Sequence, residues 1–189
     1  MSLESAYESL DQSLAELSEA VSALQITISE DKPTQGSTLL VDQFDNLVVD
    51  MLGMLEEADA HLPEFLWNIK SSKQLELARH ELFEIHSLIN RFTVKYFREV
   101  CAHDYIESLL EMGRERGREW REWSHEVKTS VERFAMPINK IIEALLDCWN
   151  ELAQRMMHGT VSMQSTNKSA TDNITGMPNW AGFKSLLID

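Results

Sequence analysis

Basic residues are nearly missing from the first third of this chain. Up to position 64 the only one is Lys32, set against fourteen acids, a net charge of −13. The remainder carries seventeen acids and sixteen bases, so this first third accounts for almost all of the −14 of the 189-residue chain. An acidic face repels nucleic acid and anionic membrane, and attracts basic protein surfaces. Its plain alternative is a solubilising face.

Other absences narrow the field further. There are two cysteines, Cys101 and Cys148, too few for a disulfide framework and without a zinc pattern. Cys148 falls on an apolar helical stripe, as a small buried thiol does. Only seven glycines and four prolines occur. They form no phosphate-cradling loop, no dinucleotide fingerprint and no G-x-S-x-G nucleophile turn. No apolar run approaches the roughly 18 residues that span a bilayer. The first residues are acidic, with no basic leader region, so the expected location is the cytoplasm.

What the chain has in quantity is helical periodicity. Leu3, Tyr7, Leu10, Leu14, Leu17, Val21, Leu24 and Ile28 follow one another at alternating steps of four and three. That spacing sets every one of these side chains on one stripe of a helix. The stripe cannot stand alone in water and needs other helices over it. Ala6, Ser13, Ala20 and Thr27 flank it, and small residues there favour close packing in a bundle over a two-stranded zipper.

The same pattern recurs. A first helix is expected over residues 3–29, capped by Ser2, and a loop at residues 31–36. A second helix, about 38–61, carries Val41, Phe44, Val48, Met51, Leu55 and Ala58, with Leu40, Leu47 and Met54 beside them. That width predicts two neighbours or more. Residues 64–70 form an apolar connector that lids the bundle end. Ser71 and Gln74 have capping-box spacing before a third helix reaching at least position 100. A weak segment is expected at Gly113 to Gly117, a kink or break near Ala135 before Pro137, and a helical stop at Gly159. The fold class is all-α: an antiparallel bundle of four to six helices over residues 1–158. A Ser/Thr/Asn-rich flexible linker (159–176) and an apolar C-terminal peptide (177–189) follow.

Candidate chemistry is thin. Bundles hold metals through inward Glu and Glu-x-x-His pairs. Glu122 and His125 have that spacing, yet the seam of Trp120, Trp123 and Val127 turns them outward. His80-Glu81 lacks the second histidine of a zincin helix, since position 84 is Glu84. Glu57 and His61 lie one turn apart beside the stripe. No metal ligand or catalytic residue is assigned and no cofactor is expected. The arginine–tryptophan stretch, with Arg118, Trp120, Arg121 and Trp123, has the composition of a protein-binding surface. Interleaved acids cancel the field that nucleic acid needs, and Glu115 with Arg118 is a candidate intrahelical pair. The tryptophans of such a stretch are more often core. Trp180, Phe183, Leu186 and Leu187 share one side of a short helix, the pattern of a peptide that enters a groove. That groove belongs to a partner or to the chain's own bundle.

These residues point to a non-catalytic adaptor or regulatory subunit. It would meet a basic protein partner through the acidic face and the C-terminal peptide, with no nucleic acid and no membrane involved. A metal-dependent bundle enzyme using Glu and His ligands is the alternative from another class. Homo-oligomerisation through the first ladder is a third reading.

Overall fold

The computed structural model describes residues 2–33, 38–62, 69–101 and 105–164, with side chains as far as residue 158. They form six helices and, among the described residues, no strand. These are α1 (Leu3–Ser29), α2 (Leu39–Ala60), α3 (Ser72–Val94), α4 (Tyr105–Arg116), α5 (Arg118–Glu132) and α6 (Ala135–Gln164). A π-helical stretch, Lys95–Cys101, prolongs α3. Most of the expected connector lid (residues 64–68 of 64–70), residues 165–176 of the expected linker and the C-terminal peptide lie outside the described residues.

Three starts follow their capping residues. Ser2 Oγ accepts from the Ser5 amide, Thr38 Oγ1 from the Val41 amide and Ser71 Oγ from the Gln74 amide, each at 3.2 Å. Each bond satisfies an amide that the helix itself leaves without a partner. Gln74 completes its box one residue early: its Oε1 accepts from the amide of Lys70 at 2.8 Å.

Cross-helix contacts set the topology. Glu16 meets Lys140 and Thr27 meets Trp123, so α1 runs antiparallel to the rod formed by α5 and α6. Asp50 meets Lys95 and His61 meets Glu81, so α2 and α3 are antiparallel too. Helices α1, α2, α3 and α6 thus form an up-and-down four-helix bundle, the arrangement short connections favour. The α4–α5 hairpin covers one end, packing on α1, α2 and the π-helical stretch.

The first ladder lies in the centre. Leu3, Leu10, Leu14, Leu17, Val21, Leu24 and Ile28 are all buried, and Tyr7 is half-buried. The small flank works as its composition predicts, because α1 and α6 form the most intimate pair in the fold. Ser13 and Thr27 are buried on that side. Their hydroxyls donate back to the Ser9 and Ala23 carbonyls at 2.6 and 3.0 Å, which removes the cost of desolvating them. The wide face of α2 meets both α1 and α3.

Two sequence expectations need correction and one holds. Gly113 is no turn: it is buried inside α4, and the break falls at Gly117 alone, where φ is +104°. The break expected near Ala135 is present, between α5 and α6. The chain turns at Arg133 and Phe134, and Pro137 sits in the first turn of α6, where no intrahelical donor is required. The final helix runs past the expected stop at Gly159 to Gln164, since glycine costs a helix only about 1 kcal/mol.

Gly53 lies on the exposed side of α2, and a methyl group there would meet nothing within 4 Å. Gly53→Ala is therefore expected to stabilise the fold by about 1 kcal/mol, raising Tm by roughly 2–4 °C in a thermal melt.

Candidate functional site

Most acids of α1 and α2 are on the outside, Asp45 being half-buried. Glu4, Glu8, Asp11, Glu19 and Glu30 on the first helix and its end are exposed, as are Asp42, Asp50, Glu56, Glu57 and Asp59 on the second. Because the two helices lie side by side, these carboxylates share one surface. Two edges are tied to neighbouring helices. Lys140 donates to Glu16 at 2.9 Å, which holds the Glu16 carboxyl below its ordinary pKa. Lys95 stands 3.8 Å from Asp50.

Placement along the helices matters as much as number. Glu4 and Asp42 sit in first turns, where the positive end of the helix dipole favours them. Glu56, Glu57 and Asp59 crowd the other end of α2, and neither α1 nor α2 has a basic residue in its last turn. Acids near a helix C-terminus face the negative end of the dipole. Their position gives the fold no benefit.

The arginine–tryptophan stretch divides by chemistry. Trp120 and Trp123 are 5% and 4% exposed, and their rings pack edge to face at 5.4 Å. Trp123 Nε1–H donates to the Thr27 carbonyl at 2.8 Å, an oxygen in the last turn of α1 with no intrahelical donor. Both tryptophans therefore hold the fold. Arg118 and Arg121 are exposed. Arg118 bonds Glu122 at 2.7 Å rather than Glu115, because the break at Gly117 puts Glu115 on a different helix. Arg116 lies over the Trp120 ring at 5.0 Å. Trp180, Phe183, Leu186 and Leu187 lie outside the described residues.

Histidine and acid positions are dispersed. Glu122 and His125 are exposed on α5, and Glu57 is exposed on α2. His61 instead joins Glu81 of α3, Nδ1 to Oε2 at 2.7 Å. Sequence reasoning missed this pair, since twenty residues separate its members and no local spacing marks it. Among the described residues no three His, Cys, Asp or Glu side chains come together as a metal cage would require. No helix among them is long and apolar enough to cross a membrane.

The described residues line at least two openings. One, of about 200 Å³, lies beside the π-helical stretch and is lined by Tyr96, Cys101, Ile106, Glu107, Lys128, Val131 and Glu132. The Tyr96 hydroxyl donates to the Val131 carbonyl at 3.1 Å. Burial raises the pKa of both Tyr96 and Cys101, so neither is poised as a nucleophile. Cys148 is fully buried, its thiol pushed up to about 12 by burial and then by Asp147 and Glu151. A second opening, about 390 Å³, runs between α3 and α6.

His86, beside that second groove on α3, has its pKa lowered by burial. The folded state therefore resists its protonation. The stabilisation is present above the ordinary histidine value of 6.5 and is lost as pH falls below it towards the folded pKa. Urea melts at pH 7.5 and 5.5 are expected to differ less for His86→Gln than for the natural chain.

The fold defines an all-α, up-and-down bundle with an added hairpin and a surface charged with one sign. No family model, curated protein or solved structure matches this chain, so the reading of its role rests on the residues alone.

Proposed function

We propose that the chain is a non-catalytic helical adaptor or regulatory subunit of the cytoplasm. It receives a basic surface of a protein partner on the acidic face of α1 and α2, and presents the apolar C-terminal peptide as a second contact. One observation carries this reading: Glu56, Glu57 and Asp59 sit where their own helix disfavours them. A basic partner would turn that local cost into attraction. The interleaved charges on α4 and α5 give nucleic acid no comparable hold.

The test compares three full-length chains as bait in native cell extract. Glu56→Gln/Glu57→Gln/Asp59→Asn removes the crowded acids. Glu126→Gln/Glu143→Asn removes exposed acids elsewhere. The natural chain and the second variant are expected to capture the same partner, in amounts falling with salt. The first variant should capture it about tenfold less, from three lost pairs of up to ~1 kcal/mol each. Its melting temperature should not fall, since the acids oppose the helix dipole. Equal capture by all three overturns the reading.

A further inference from the structure

The seam between α3 and α6 is the loosest of the four around the bundle. The groove opening there is lined by Glu76, Arg79, His80, Phe83 and Trp149. Trp149, 3% exposed, forms its floor, and Phe83, 49% exposed, stands on its rim. Met156, half-buried, follows two turns further along α6. Trp149 is thus already buried, and Phe83 is the apolar side chain that a segment seated in the groove would cover.

We propose that this groove is the seat of the chain's own C-terminal segment, residues 177–189. The chemistry of the segment fits: Trp180, Phe183 and Leu187 recur at helical spacing, the anchors of an amphipathic helix entering a groove. Charge fits as well. The rim carries Glu76 and Arg79, and the segment carries Lys184 and Asp189, one partner for each sign. The tether fits best. Helix α6 is itself a wall of the groove and ends at Gln164, about 22 Å along the axis from Trp149. The intervening residues 165–176, taken as a Ser/Thr/Asn-rich coil, have a root-mean-square span of about 19 Å and a limit near 40 Å. They return the segment to the groove without stretching. Tethering at that length gives an effective concentration on the order of 1 mM. An intrinsic Kd of about 0.1 mM then keeps the groove about nine-tenths occupied.

This deepens the adaptor reading by naming what holds the peptide before a partner takes it. It concerns α3 and α6, whereas the charge variants above alter α2, so either idea can fail while the other stands.

Amide hydrogen exchange on the full chain tests the seat. In the natural protein, amides within 177–189 are expected to exchange about tenfold more slowly than in the free synthetic peptide. Phe83→Asp, an exposed change that leaves the helices intact by circular dichroism, should abolish that protection. Leu39→Asp, at the 74% exposed start of α2, should leave it in place. Phe183→Asp in the segment should abolish it from the other side. Free-peptide rates in the natural chain, or protection untouched by Phe83→Asp, overturn the proposal. Protection that grows with protein concentration also overturns it, by showing that a second copy supplies the groove.

Discussion

Trp123→Ala is expected to lose about 3–5 kcal/mol of stability, the usual cost of deleting a buried tryptophan. Two contributions can be separated. The indole fills the space between α1 and the hairpin, and its N–H serves the Thr27 carbonyl at 2.8 Å. Trp123→Phe keeps most of the ring and removes the donor. It should cost about 1–3 kcal/mol, the penalty for leaving that buried oxygen without a partner. Urea unfolding of the three chains gives both numbers. If the phenylalanine variant matches the natural chain, the carbonyl has found water, and the end of α1 does not depend on the indole. Trp120 makes no such bond in its own right, so Trp120→Phe should be the milder of the two changes.

Gly113→Ala should also destabilise the fold, for the opposite reason. A methyl group on Gly113 would run into Ser124 Oγ and stand 2.9 Å from the Trp120 carbonyl oxygen and 3.0 Å from the Arg121 Cα. The hydroxyl can rotate away, but the two backbone atoms belong to α5 and cannot move without opening the hairpin. Overpacking of this kind costs about 1–3 kcal/mol. An alanine in a helix interior would otherwise add about 1 kcal/mol, so the sign of the effect is diagnostic. A stability increase would show that α4 and α5 separate easily. Gly53→Ala is the internal control, being the same substitution on open surface.

These two residues also show where a sequence stops being informative. The bundle was legible because heptad spacing is a local property. Leu3 to Ile28 declare a buried stripe whatever they pack against, and Ser2 and Ser71 declare helix starts by their side chains alone. Gly113 and Gly117 look alike in sequence. Only the approach of α5 makes the first a contact and leaves the second, with its positive φ, as the turn. Arg118 pairs with Glu122 and not Glu115 for that reason, since no single helix runs from Glu115 through Arg118. His61 and Glu81 meet because α2 and α3 align, which no spacing within either helix encodes. The acidic surface was legible in number but not in arrangement. That the acids of α2 gather at its end becomes meaningful only once the helix has an end.

The closeness of α1 and α6 has a consequence for how the protein is made. The bond between Glu16 and Lys140 spans 124 positions, and almost the whole chain must leave the ribosome before the first helix can meet the last. Until then α2 covers the leucine row of α1 on one side only, and closing so long a loop is slow compared with forming either helix. A nascent chain in that condition is a natural client for a holding chaperone. A stalled one has a ready substitute for its missing sixth helix in the sixth helix of another copy.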